Sequence, residues 1–499
     1  MRVLREAFDY EFSKLDPMAA HIDPPSVAVY ETLLAKGPDL KPYPYLGRVT
    51  EVSESGLEWI LELRRGAVFH SGAPCDAQAV VASLEALRWH VSGARQLWYW
   101  DPVDTVVAID DRHIKFRLHY PYSRLPALLW GTHTAVFNVA LQQADPDTFG
   151  IGIADGTGPY RMLSFSPERI VAETVAGYPA RMMPEFRSST RSIDRIEWVS
   201  IPDPRIRLEV LRAGGIDCLH GVDYRDVVLL SDDLDLQVYE AGQASSMYWS
   251  LNWDRSDLGF DDVHVRRAIS LGIDRRALVE EVLHGHGVPT WGPLPPGTQY
   301  YDASVDLEGV ANYDLACAEL DALGWHRGLD GIRNRNGTRM AFDCVIQRDA
   351  VFVGVAEVLE AQLLRLGIEI RIIPVTPFAE FYGACAAGPD STISKWLWPD
   401  PVDALIGFSS TSTSPFPNWS RASVPELDAL FEAWLHADSE EELTSAASAV
   451  QHTFARELPY LPLLAPADVW VWGSHVKGFD PSPGILYPFY QGVDVDPDP

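Results

Sequence analysis

Hydrophobic and polar residues alternate in short runs along the whole chain, and the period switches repeatedly between two and about 3.6. Met1 to Phe8 alternates as a short strand, as do Glu58–Leu63 and His113–Leu118. Between the latter two, Asp76 to Trp89 carries apolar residues at helical spacing, with Asp76 placed to cap the first free amides. The turn pairs Asp16-Pro17 and Pro24-Pro25 lead into a helical stretch over Tyr30–Leu34, and Gly156-Thr157-Gly158-Pro159-Tyr160 marks a turn-rich crossing. Further strands are predicted near Ile193–Ile201, Met247–Trp253, Met340–Ile346 and Glu369–Val375. Helices are predicted near Pro204–Ala213, Val263–Leu271, Arg275–Leu283, Tyr313–Leu323, Ala350–Leu366 and Val424–Ala437. Strands that alternate with helices predict α/β lobes. The acidic, proline-rich tail Asp494–Pro499 is expected to fray.

Length turns this pattern into an architecture. At 499 residues the chain exceeds a single core, since cores stop growing at roughly 250–300 residues. Two or three lobes are expected. No run approaches the roughly 18 apolar residues of a membrane helix, so direct membrane insertion is not expected. The 40 Lys and Arg against 70 Asp and Glu leave a net charge of −30. Such a polyanion repels nucleic acid and anionic lipid, and its densest basic points, such as Arg64-Arg65 and Arg275-Arg276, are only pairs.

The candidate chemistry is sparse. Five cysteines, Cys75, Cys218, Cys317, Cys344 and Cys385, lie far apart without a C-x-x-C pair. Buried free thiols are expected, with one Cys344–Cys385 bridge as the alternative. No G-x-S-x-G, H-E-x-x-H or Walker motif occurs. His284-Gly285-His286 sits in a glycine loop, and Glu280-Glu281 diverge by about 100° on a helix. No catalytic residue, metal or cofactor is therefore expected. The start Met1-Arg2-Val3-Leu4 lacks an apolar signal core. A removed signal, giving an extracytoplasmic protein, and a cytoplasmic protein both fit.

Colinear motifs carry a resemblance. Leu15-Asp16-Pro17 with Tyr30-Glu31-Thr32-Leu33 is similar to "LDP … YEGL", and Leu63 to Pro74 (LRRGAVFHSGAP) to "LRxGVkFHdGxP". Gly156–Tyr160 matches "GTGPY", and Val263–Ile269 with Ile273-Asp274-Arg275 matches "VRxAi … iDR". Gly292–Pro296, Tyr313–Ala316 with Leu323-Gly324-Trp325, Pro425–Asp428 and Glu457-Leu458-Pro459 follow in order. Together they resemble the large extracytoplasmic solute-binding proteins of bacterial ABC transporters, the dipeptide-, oligopeptide- and nickel-binding family. The resemblance implies a hinge-closing, two-lobed periplasmic-binding-protein fold of type II. Lobe I would be 1–40, 157–245 and 470–499, an inserted subdomain 41–156, and lobe II 246–469. It also implies a monomer that captures a small solute between its lobes and docks on a membrane permease and ATPase pair.

The same resemblance puts candidate ligand residues on four segments: His21 and Asp23; Trp98; Tyr248; and Ser394–Pro401, with Lys395, Trp396, Leu397, Trp398 and Asp400. Arg348, in the turn after a strand, could clamp a carboxylate. Asn252 is expected to brace structure rather than touch ligand. Peptide binders pair the ligand ammonium with the first Asp of "GWxaDYpDP", where this chain has Leu397. A buried ammonium without counter-charge is costly, so ordinary peptides are expected to bind poorly. Flat tryptophan faces suit sugar-like solutes; atypical peptides or opine-like conjugates are the other class, and an ordinary oligopeptide the alternative.

Overall fold

The computed structural model describes residues 1–19, 24–37, 41–89, 100–178, 193–241, 245–308, 310–376, 378–397, 418–437, 439–479 and 490–496. They form two compact units, Met1–Ala241 with Asp468–Pro499, and Gly242–Ala467.

In the first unit the alternating segment Val3–Phe8 becomes the central strand. It runs parallel to Arg195–Ser200 on one side and to Cys218–His220 on the other. Strands Arg169–Thr174 and Tyr160–Ser166 extend one edge of this seven-stranded sheet, and Asp468–Gly473 and Leu236–Ala241 the other. Leu4 and Phe8 enter a core with Ile196, Trp198, Cys218 and Trp470. The alternation also sends Glu6 inward, where it is fully buried. A separate four-stranded antiparallel sheet holds Gly47–Val52, Glu58–Leu63, His113–Leu118 and Val103–Ala108. Helix Ala77–Arg88 accompanies it, and Asp76 caps that helix by accepting from the Ala79 amide at 2.9 Å.

Contacts between distant motifs join these parts. His70 donates its amide to the Gly156 carbonyl, and its ring Nε2 lies 2.9 Å from the Gly158 carbonyl. Asp155 accepts from the Ser71 amide and hydroxyl, each at 2.7 Å, and from the Asn138 amide at 2.8 Å. The glycines are required by close approach. A Cβ on Gly156 would lie 2.2 Å from the Val29 carbonyl oxygen, and one on Gly158 2.5 Å from that of Ala28.

Two local expectations fail here. Helix lies at Pro24–Val29, not over Tyr30–Leu34. Proline is preset for a helix's first turn, where its missing amide costs nothing, whereas Leu34–Lys36 pairs with Pro42–Pro44 as strand. The tail does not fray from residue 494 either. Asp494–Val495 pairs with Val476–Lys477, and Arg2 reaches Asp494 at 3.3 Å. Residues 497–499 lie outside the described residues.

The second unit is built on a six-stranded sheet. Its order is Gly287–Pro289, Leu461–Pro466, Ser245–Leu251, Ser391–Leu397, Ala341–Gln347 and Glu369–Val375. Helix Ala350–Leu366 joins the last two, which run parallel. Every residue of Ser245–Leu251 is buried, as befits a strand covered on both faces. Trp249 stacks on Phe342, while Tyr248 packs on Tyr460 with ring centroids 4.6 Å apart.

Part of the acidity has a structural use, because Asp203, Asp262, Asp274 and Asp349 each cap a helix N-terminus and favour its dipole. All five cysteines are free, Cys317 partly exposed and the others buried. The Cys344–Cys385 bridge is not formed.

Candidate functional site

In open α/β sheets, ligands bind outside the carboxyl ends of the strands. In the second unit Ala341–Gln347 runs parallel to Glu369–Val375 and to Ser391–Leu397, so these three strands end along one edge. The last residues are Gln347, Val375 and Leu397. The antiparallel strand Ser245–Leu251 begins at that same edge, with Ser245 opposite Leu397 and Ser246 opposite Trp396.

Several candidates gather here. Two residues beyond the Ile346–Ile393 pair stand Arg348, just past the end of its strand, and Lys395, still within its own. Both side chains are exposed. Arg348 makes a long 3.5 Å contact to the Pro374 carbonyl and donates its amide to Val375. Two cations thus stand at one strand edge of a chain with net charge −30. Tyr248, one residue along from the Met247–Lys395 pair, is only 1% exposed. Asn252 is satisfied inside this unit. It donates to the Pro389 carbonyl at 3.0 Å and accepts from the Asp254 amide at 3.0 Å, fastening the strand end to the loop before the next strand. His21, Asp23, Trp98, Trp398 and Asp400 lie outside the described residues.

The first unit has its own carboxyl edge, where Phe8, Ser200 and His220 end three parallel strands. His220 Nε2 lies 2.6 Å from Asp468 Oδ1. This pair has no signal in the sequence, since its members are 248 positions apart. Further in, Glu6 Oε2 accepts from the Tyr490 hydroxyl at 2.5 Å, and that hydroxyl accepts from the Trp198 indole at 2.9 Å. Burial pushes the Glu6 carboxyl up to about 7. An acid at an inward position of an alternating strand was a readable sign of this site.

One cluster of described residues invites comparison with a catalytic proton relay. Ser304, His452 and Asp302 do meet: the Ser304 hydroxyl is 3.1 Å and the Asp302 carboxylate 3.3 Å from His452. Both contacts are to the same ring nitrogen, Nε2, whereas a proton relay needs the acid and the nucleophile on opposite nitrogens. Among the described residues, no group of three His, Cys, Asp or Glu is placed to hold a metal ion. None of the described helices is long and apolar enough to cross a membrane.

Comparison with known proteins gives the same direction. Residues 31–416 match the family model described as bacterial extracellular solute-binding proteins, family 5 Middle. The glutathione-binding protein GsiB of Salmonella choleraesuis is 24% identical over 491 residues, covering 94% of this chain and 90% of GsiB. The oligopeptide-binding protein AppA of Bacillus subtilis, solved with a nonapeptide, superposes with a TM-score of 0.86 at 20% identity, covering 99% of each chain. AgaA of A. tumefaciens R10, solved with agropinic acid, gives a TM-score of 0.83 at 19% identity, covering 100% of this chain and 99% of AgaA. The chain therefore belongs to the family 5 bacterial extracellular solute-binding proteins, which have the two-lobed periplasmic-binding-protein fold and are transport-associated binding proteins rather than enzymes.

Proposed function

We propose that this chain is the extracytoplasmic solute-capturing component of an ABC importer, and that its solute is an anionic amino-acid conjugate, either a modified peptide such as glutathione or an opine. The family match supports the transport role. The observation that carries the ligand class is the strand edge of the second unit. It presents Arg348 and Lys395, and it has Leu397 where peptide-binding relatives use a carboxylate. Cations that pair with no carboxylate among the described residues favour a solute whose carboxylates outnumber its ammonium groups. Glutathione and opines have that character, and the named relatives include a glutathione binder and a protein solved with agropinic acid. None of the three relatives named above is described as binding a sugar.

In this reading Arg348 and Lys395 hold ligand carboxylates, and Trp396 with Leu397 supplies apolar contact. Tyr248 packs the core beneath, and His21, Asp23, Trp98, Trp398 and Asp400 stay as candidate contacts. No bond is made or broken. The solute shifts a two-state balance toward a bound conformer, for which a differential affinity of a few kcal/mol suffices. The loaded monomer then docks on a permease and ATPase pair.

A thermal-shift and calorimetry screen tests this with glutathione, opines, di- and tripeptides, longer peptides and oligosaccharides. Glutathione or an opine should give the largest shift. A larger response to ordinary peptides would replace this reading with the oligopeptide one, and a response confined to sugars would end both.

A further inference from the structure

The first unit carries a buried carboxyl that has no Arg or Lys beside it among the described residues, only the partial help of the His220 ring. Glu6 is 0% exposed, at the centre of the sheet. Its Oε2 accepts a bond from Tyr490, and its Oε1 has no hydrogen-bond partner among the described residues. The groups that face it are few. From strand Cys218–His220 come the Cys218 thiol, its register partner, and the His220 ring, whose Nε2 is bonded to Asp468. The neighbouring strand contributes uncharged Trp198, and the C-terminal segment contributes Tyr490. A carboxylate so placed would leave one oxygen bare in a desolvated site, a costly arrangement that is avoided by holding the proton.

Tyr490 is what makes this more than a buried acid. It belongs to the C-terminal stretch 490–496, which the Trp198–Tyr490–Glu6 chain of hydrogen bonds ties to the sheet, 484 positions from Glu6. The segment is held further by the pairing of Asp494–Val495 with Val476–Lys477, by Arg2 at Asp494, and by backbone bonds from the Val493 amide to the Tyr490 carbonyl at 3.2 Å and from the Asp496 amide to His475 at 3.0 Å.

We propose that Glu6 and Tyr490 form a proton-dependent clasp that holds the C-terminal segment 490–496 on the first unit while Glu6 is neutral and loosens it when Glu6 ionises. The raised pKa fits. The rise comes from burial, since the Tyr490 bond itself lowers the pKa, so the clasp works by keeping water from Glu6: between the ordinary value of 4.5 and about 7 the clasped state keeps a proton that a hydrated, released state gives up. Holding energy is therefore full below about 4.5, falls as pH rises through about 7, and is level above. A protein outside the cytoplasmic membrane meets the pH of its surroundings, so the clasp would report it.

Hydrogen exchange of the full chain, read by mass spectrometry over residues 490–496 and corrected for intrinsic rates, is the test. From those two pKa values, protection should drop roughly tenfold between about pH 6 and pH 8.5. Glu6→Gln, which keeps the shape and stays neutral, should remove the dependence. Unchanged protection in the wild type, or the same drop in Glu6→Gln, overturns the clasp. A readout without any variant is NMR of carboxyl-labelled glutamate. One glutamate should titrate near neutrality, and if none titrates above about pH 6 the proposal is wrong.

Discussion

Removing Arg64 should unlock the first unit, and its environment sets the size of the effect. Its guanidinium holds Glu31 in a bidentate pair, Nη1 to Oε1 at 2.6 Å and Nη2 to Oε2 at 2.7 Å. Tyr178 donates to the same carboxylate at 2.6 Å, and its ring lies 5.3 Å from the guanidinium carbon. The Glu31 side chain is 0% exposed and that of Arg64 11% exposed. Such a pair contributes modestly as a unit, but breaking it leaves a bare buried charge, which costs about 3–5 kcal/mol. Arg64→Met should approach that figure. Arg64→Met with Glu31→Gln should lose much less than the sum of the single variants, giving a coupling of at least about 1.5 kcal/mol. Urea denaturation, paired with exchange of the Arg64 amide bonded to Leu46, reports on this unit separately. A midpoint fall of roughly 1 M is expected for the single variant. Additive losses, with coupling below about 0.5 kcal/mol, would refute the reasoning.

The other predictions are briefer. Gly156→Ala should destabilise the first unit by more than about 2 kcal/mol, because its Cβ would meet backbone at 2.2 Å; thermal melting with a loss under about 0.5 kcal/mol would contradict this. Asp302, drawn down to about 2 by hydrogen bonds from Ser304 and Ser448, should support the second unit above about pH 4 and lose that support as pH falls toward 2. Asp302→Asn should flatten that part of an acid titration followed by fluorescence, and an unchanged profile would deny the carboxylate this role. Trp396→Ala should weaken ligand affinity far more than it lowers the melting temperature, and equal losses of both would make Trp396 a packing residue.

Much of the fold was legible because the residues that carry the resemblance turn out to be its fasteners. Arg266, from the segment matching "VRxAi", is buried over Trp253 and donates to the Leu458, Phe260 and Glu457 carbonyls. Arg275, from "iDR", donates to Pro462 and to Ser270 in the same manner. Glu31, Arg64, His70, Gly156 and Gly158 belong to the same group. They fasten backbone or one another inside the fold, so their spacing reports architecture and carries no information about the ligand. The site was less legible for the opposite reason. Arg348 follows one strand and Lys395 lies in another, and the parallel pairing of those strands, which no local pattern shows, brings them to one edge. His220 and Asp468 meet across 248 positions. The error at Tyr30–Leu34 was local, since Pro24-Pro25 was read as a turn when the same fixed φ also starts a helix.

The thiols bear on where such a chain can work. Burial pushes Cys344 up to about 12 and Cys385 up to about 11, and it also raises Cys75 and Cys218 well above the ordinary thiol value. At neutral pH roughly one Cys385 in 10⁴ and one Cys344 in 10⁵ is thiolate, the form that attacks a disulfide. Sulfur chemistry is thereby starved of its nucleophile at four of five positions. An odd set of unpaired cysteines can then pass through an oxidising compartment, among disulfide-exchange catalysts, without being drawn into mispaired or cross-linked forms.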